Sequence, residues 1–422
     1  MKLKIKQSIL MEHLNYAIKG ISNKNLIPIL NCIKFDLTEE GLYLMSSDND
    51  IAIKTFISKN QIESIDVCGE LVVSGRYIYD IIKKLPNEII NLEEVMDFKL
   101  YITTSNSSFT LNCNNVNDFP QIKLEEHKNP VVLTTKTLKN IINQTVFATS
   151  NQESRPILTG VNIKINRNIM ECTATDSYRL SKKIIELDNE VSEPVDIIIP
   201  TRNLNELVKL FMDDNNKVEL HIFNNKVIFK FSTIIMMSRL INGSFIDTTA
   251  LIPKDFSIIM KVNLQDLYNA IDRASLLTNE NDKNTVKLES FNDNIVLSSN
   301  IPEIGNVTEK INLLNTIENN ITIAFSSKYM MDALKAFDCE EIELMFNGEI
   351  RPIILKNPDS NDLIELIVPI RIGWLILFFS KNLIFSTKFN KFRKKIMYKK
   401  GNLVFFWKIR YRGGEVCWII MK

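Results

Sequence analysis

The chain has 422 residues, 45% of them hydrophobic, which is enough for two to four domains and too much for one ordinary core. Residues 372–422 hold 12 of the 51 Lys and Arg but 1 of the 50 Asp and Glu, so the first 371 carry 39 basic and 49 acidic groups, a net charge near −10. An acidic body argues against a simple polyanion-binding surface, but not against positive charge confined to one inner face.

The N-terminus, Met1-Lys-Leu-Lys-Ile-Lys-Gln7, alternates apolar and basic residues and predicts a strand. It carries no export signal, and the expected location is cytoplasmic. A helix is predicted over residues 9–19, with Leu14, Ala17 and Ile18 at helical spacing. The same stripe returns over 133–143 (Leu138, Ile141, Ile142) and 262–272 (Leu267, Ala270, Ile271). A second helix recurs over 76–85, 202–211 and 328–337, each time opening on Lys or Arg after Ser74, Thr201 or Ser327, which suits an N-cap. Both series step by roughly 125 residues, a common domain size. Between the helices, residues 33–37, 41–45, 161–165, 217–223 and 226–231 alternate with period two, as antiparallel strands packed on one face do. Each unit therefore reads as α+β, two helices covering one face of an antiparallel sheet. Asp118-Phe-Pro120 and Phe245-Ile-Asp247 occupy matching places and set the domains at 1–127, 128–252 and 253–371.

At Arg371 the composition breaks. All three tryptophans (Trp374, Trp407, Trp418) fall beyond it, among dense Lys, Arg and Phe, and the apolar stretch 372–379 is too short to cross a bilayer. Residues 372–422 form an atypical basic, aromatic tail. It reads either as a membrane- or nucleic-acid-binding extension or, the preferred reading, as translation past the end of the domain through a frameshift or lost stop.

Signs of chemistry are few. The sequence holds 12 glycines and neither phosphate-cradling glycine motif. Cys32, Cys68, Cys113, Cys172, Cys339 and Cys417 form no Cys-x-x-Cys pair. With His13, His127 and His221 they make no zinc site, and reduced thiols are expected. Asp48-Asn-Asp50 reads as a strand-end turn with solvated carboxylates, not a metal site. The polar run Thr175-Asp-Ser-Tyr-Arg179 lacks a nucleophile–base pair. No catalytic residue, metal or cofactor is expected, and an unrecognised hydrolase site using Asp176 stands as a third hypothesis.

Several segments in order carry a family resemblance: Ile27-Pro-Ile-Leu30, Ser47-Asp-Asn-Asp50, Asn117-Asp-Phe-Pro120, Ser154-Arg-Pro-Ile-Leu-Thr-Gly160, Ala174-Thr-Asp-Ser-Tyr-Arg-Leu180, Ile199-Pro-Thr-Arg202, Ser238-Arg-Leu-Ile-Asn-Gly243, Leu277-Thr-Asn-Glu280 and Val368-Pro-Ile-Arg371. Over residues 1–371 the chain resembles the bacterial sliding clamps, the beta subunits of DNA polymerase III; the tail matches nothing in that family. The resemblance implies three tandem DNA-clamp domains and a head-to-tail homodimer, a six-domain ring with helices lining the hole. It implies a non-catalytic processivity factor on double-stranded DNA, read without sequence preference. Its partners would be the replicative polymerase, the clamp loader and other clamp-motif proteins, with no membrane partner. Weak phosphate contacts without base readout permit sliding. By position in the family pattern, Lys24, Arg76, Gln152 and Arg202 would face DNA. A partner-peptide groove would use Leu158, Thr175, Ser177, Tyr178, Arg179, Leu180, Ile246, Leu251, Tyr329, Ile350, Pro352, Leu366, Val368, Pro369, Ile370 and Arg371. Leu180, Leu251 and Val368 would form its deep wall, with Arg179 at the rim. Ser177 and Tyr178 stand where the family often has Gly-His or Gly-Tyr, and Ile246 where Pro is usual. The main alternative is a monomeric peptide-binding scaffold that closes no ring.

Overall fold

The computed structural model describes residues 1–22, 27–95, 98–212 and 215–371, together with three strands of the tail. The first unit runs β1 (Lys2–Lys6), α1 (Gln7–Ala17), β2 (Cys32–Leu37), β3 (Gly41–Ser47), β4 (Ile51–Ser58), β5 (Ile62–Val67), β6 (Gly69–Ser74), α2 (Gly75–Lys84), β7 (Ile89–Val95), β8 (Lys99–Thr103) and β9 (Ser108–Asn114). The second runs β10 (Val131–Thr134), α3 (Thr135–Thr145), β11 (Gly160–Asn166), β12 (Ile169–Thr175), β13 (Arg179–Glu186), β14 (Val195–Pro200), α4 (Thr201–Val208), β15 (Lys217–Ile222), β16 (Lys226–Phe231) and β17 (Ile234–Arg239). The third repeats that order: β18 (Ile258–Asn263), α5 (Leu264–Ser275), β19 (Thr285–Phe291), β20 (Asn294–Ile301), β21 (Gly305–Asn312), β22 (Thr322–Ser326), α6 (Ser327–Leu334), β23 (Glu341–Phe346), β24 (Ile353–Asn357) and β25 (Ser360–Ile367).

Each first helix buries residues three and four apart: Leu10 and Leu14 in α1, Leu138, Ile141 and Ile142 in α3, Leu267, Ala270 and Ile271 in α5. The period-two stretches are strands, and every ladder among the described residues is antiparallel. A large apolar core lies in each unit, and these cores do not stop at unit limits. The second core includes Tyr16, Ile51 and Ile53 from the first unit, and Phe147 of the second unit packs on the third. The sheets cross the limits as well. A 13-stranded sheet joins the first two units through β17 against β4, and an 8-stranded sheet joins the second and third through β13 against β25.

The expected hydroxyl caps on the second helices do not form. Ser74 occupies the cap position of α2 without a side-chain cap bond, while Thr201 and Ser327 already belong to their helices, behind Pro200 and Ser326. At α4 and α6 the strand runs straight into the helix, so the hydroxyl falls inside the first turn, and Thr201 bonds Thr149 Oγ1 instead (2.9 Å). Side-chain caps occur on the first helices of the second and third units, from Thr134 to the Thr137 amide and from Asn263 to the Asp266 amide (both 3.0 Å).

Residues 372–422 make a separate unit. Within it β26 (Lys394–Lys399), β27 (Asn402–Arg410) and β28 (Val416–Met421) pair as an antiparallel sheet. Trp374 and the apolar stretch 372–379 lie outside the described residues.

Candidate functional site

The two seams between units are built alike. At each, a hairpin turn aims an aspartate back into its own backbone and presents a strand to the next unit. At the first seam, Asp48 Oδ1 accepts from the amides of Asp50 (3.1 Å) and Ile51 (2.9 Å), while Asn49 takes the left-handed φ of 78°. At the second, Asp176 Oδ1 accepts from Tyr178 (2.9 Å) and Arg179 (3.0 Å), with Ser177 at φ 77°. Asparagine tolerates that conformation readily; serine is a poorer fit, which gives the departure from glycine at Ser177 a structural meaning. The strand of the following unit then docks on the turn: Arg239 N donates to Asp50 O (2.9 Å) and Val368 N to Tyr178 O (2.8 Å).

A charged clamp closes each seam. Arg202, from α4, donates to Asp48 Oδ2, whose side chain is 1% exposed. The expectation of solvated carboxylates fails at Asp48, because its partner lies far along the chain and covers it. At the second seam Arg179 is gripped on both sides. Its Nε meets Asp176 Oδ2 (3.1 Å) and its Nη1 meets Asp332 Oδ2 (2.7 Å). Its guanidinium lies 4.5 Å from the Tyr329 ring centroid and 5.4 Å from that of Phe147. Burial, and then the charge of Asp176, raises the Tyr329 hydroxyl above its ordinary value. Both oxygens of Asp48 and of Asp176 are thus committed to amides and a guanidinium. These carboxylates orient strands.

Between the second and third units, Leu180, Ile354 and Leu366 form a buried apolar cluster, with Ile252, Phe256, Met345 and Ile364 against it. Of the residues expected in a groove, Leu158, Thr175, Leu180 and Leu366 are buried; Arg179, Tyr329, Pro352, Pro369 and Ile370 are half-buried. Ser177, Tyr178, Ile246, Leu251, Ile350, Val368 and Arg371 are exposed. Leu180 lies deep, as expected. Leu251 and Val368 do not: they are 46% and 38% exposed and form a surface, not a wall. Arg179 is 11% exposed in its side chain and so packed in, away from a free rim position. Leu158 belongs to a separate cluster with Ile198 and Phe245. Phe147, Asp332, Ile252, Phe256 and Ile354 also pack at this seam, beyond the residues expected there. Their membership comes from pairing across the seam, for which no local spacing gives a signal.

Arg76 and Gln152 are exposed, and the Arg202 side chain is half exposed with its charge met by Asp48. Lys24 lies outside the described residues. Among the described residues no helix is long and apolar enough to cross a membrane, and no group of three or more His, Cys, Asp or Glu is placed to hold a metal.

Family models for the DNA polymerase III beta subunit match along the chain: the N-terminal domain over residues 1–123, the central domain over 132–247 and the C-terminal domain over 249–371. The beta sliding clamp of Staphylococcus epidermidis is 41% identical over 375 residues, spanning 88% of this chain and 99% of the relative. That of Staphylococcus aureus is 39% identical over the same span. The crystal structure of the Bacillus subtilis DNA polymerase sliding clamp superposes with a TM-score of 0.86 at 37% identity, covering 88% of this chain and all of that one. The Streptococcus pneumoniae DNA polymerase III beta chain gives a TM-score of 0.84 at 34% identity, with the same coverage.

Proposed function

The chain belongs to the DNA polymerase III beta-subunit family and is a DNA sliding clamp, and from that premise we propose that two copies close head to tail into a ring around duplex DNA. The observation that carries this reading is a seam left unfinished. Within one chain, β4 takes β17 and β13 takes β25. By position in the repeat the third such pair is β21 with β9. Among the described residues β21 pairs only with β20, and β9 pairs with β8 and, at its last two residues, with β6. Apolar side chains stand uncovered along both edges: Phe109 on β9, Ile304 just before β21, and Leu276 just after α5, the helix packed on β21. Two open edges of complementary type on opposite end units are what a closed dimer consumes, and an open edge is otherwise a liability.

In that ring the paired helices form the inner wall, where Lys24, Arg76, Gln152 and Arg202 meet phosphates without reading bases. Arg202 contributes less than a free arginine, since Asp48 already meets its charge. We read the chain as non-catalytic, acting in the cytoplasm to hold a replicative polymerase on its template, with an outside loader to open the ring. The three domains are bounded at 1–127, 128–252 and 253–371, and residues 372–422 are an addition to them. The family models end at residue 371, and the Staphylococcus relatives have no length to match the tail.

Partner proteins dock a short linear motif on the patch above the Leu180–Ile354–Leu366 cluster. Its exposed apolar residues Leu251, Ile350 and Val368 supply burial area to a peptide. Leu251→Ala with Val368→Ala is expected to weaken a peptide carrying Gln and bulky apolar residues about 10- to 100-fold. Fluorescence anisotropy measures it, and thermal melting should stay near the parent's because both side chains are exposed. Unchanged affinity removes both residues from the site.

A further inference from the structure

The seam between the second and third units contains a carboxyl group that none of this uses. Glu365, on β25, is 1% exposed and lies opposite Ser181 on β13, which is fully buried. Ser181 Oγ is 2.6 Å from the Gln144 carbonyl oxygen and 2.7 Å from Glu365 Oε1. A hydroxyl has one proton, and a carbonyl oxygen can only accept. Gln144 sits in the last turn of α3, where helix carbonyls lack an intrahelical donor, so the serine proton belongs there. The 2.7 Å contact then has a proton on it only if Glu365 supplies one. If Ser181 turned to the carboxylate instead, the 2.6 Å contact would set lone pair against lone pair.

We propose that Glu365 is carried as the neutral acid, donating to Ser181, which donates to Gln144, so that a proton-held chain ties the second unit to the third and loosens when the carboxyl ionises. Gln144 completes the tie, its Nε2 donating to Ala336 O of the third unit (2.8 Å). The charges on the surrounding elements do not replace the proton. On β13, Arg179, Lys182 and Lys183 are held by Asp332, Glu171 and Asp362, and Glu186 ends the strand in solvent. On β24 stands Lys356, on α3 Lys136 and Lys139, and on α6 Lys328, Tyr329 and Asp332. Of these only Arg179 acts on the carboxyl, and it is already shared between two aspartates. Burial, the largest influence, raises Glu365 well above the ordinary carboxylate range, against the smaller opposing pull of Ser181 and Arg179.

The sign of the pH dependence follows. A carboxyl whose folded value is raised stabilises the fold fully below its unfolded value of about 4.3, and that contribution is lost as pH rises toward the folded value. Glu365→Gln keeps a donor to Ser181 and cannot ionise. Relative to this variant, the parent's folding equilibrium is expected to fall about tenfold per pH unit between those two values. Thermal or denaturant melts of the full chain at about pH 5 and about pH 8 read this as a gap that widens with pH. A gap that stays constant between them overturns the proposal. Should Glu365→Gln fail to fold, the pH titration of the Glu365 carboxyl carbon shift in the parent decides: a midpoint above the ordinary value of about 4.3 supports the proposal, and a midpoint at or below it overturns it.

Discussion

Leu276→Asp is expected to leave a folded chain that no longer dimerises. Leu276 is 78% exposed just after α5, the helix packed on β21, and its surroundings within one chain do little to cover it. On ring closure it would meet the partner's β9, where Phe109 also waits uncovered. Burying such a side chain stabilises by roughly 2–3 kcal/mol, and a closed ring contains the contact twice. Losing both, before any cost of burying the new carboxylate, removes about 4–6 kcal/mol, or roughly three to four orders of magnitude in dimer affinity. Sedimentation of parent and variant at micromolar concentration measures it, with circular dichroism to establish that the variant is folded. A variant that still sediments as a dimer would place the contact elsewhere.

Arg179→Ala should strongly destabilise the seam between the second and third units. Its guanidinium satisfies Asp176 and Asp332 and fills the space between Phe147 and Tyr329. Truncation leaves two carboxylates without their counter-ion, one 12% and the other 30% exposed. Breaking a buried pair from one side costs about 3–5 kcal/mol, and partial solvation of Asp332 places this case near the lower end, at about 3. Arg179→Lys is expected to recover only part of it, since an ammonium cannot span two carboxylates while lying flat between two rings. Denaturant midpoints give the loss directly. Affinity for a docking peptide should fall with it, because Tyr178 and Val368 are held to each other on the same seam. Equal stability of the alanine variant would show that the network is not a clamp.

The repeat was legible because it rests on local periodicity. Leu138, Ile141 and Ile142 bury one helix face wherever the rest of the chain lies, and the alternation at residues 226–231 makes a strand in the same way. Everything that depends on two distant segments meeting was harder to read. Asp48 looked like a solvated turn because nothing near it announces Arg202, and its burial exists only once α4 docks on the first unit. Of the residues expected in a groove, Leu180 and Leu366 are buried, Leu180 as deeply as expected, whereas Leu251 and Val368 are not. How far Leu251 and Val368 sink depends on how distant segments pack, which no local spacing encodes. The expected caps of α4 and α6 lie one residue inside the helix for a related reason: where a strand passes without a break into a helix, the boundary is set by the strand and not by the hydroxyl.

The open edges on β9 and β21, the clamps at the two closed seams and the family membership converge on one claim, that this chain works by topological enclosure. Retention on closed circular DNA compared with the same DNA linearised tests it most directly, after loading by a clamp loader and ATP. The expected result is stable retention on the circle, rapid loss once the free ends are made, and the same behaviour from a chain ending at Arg371. Equal retention on circular and linear DNA would mean that affinity, not enclosure, holds the protein, and would contradict the ring.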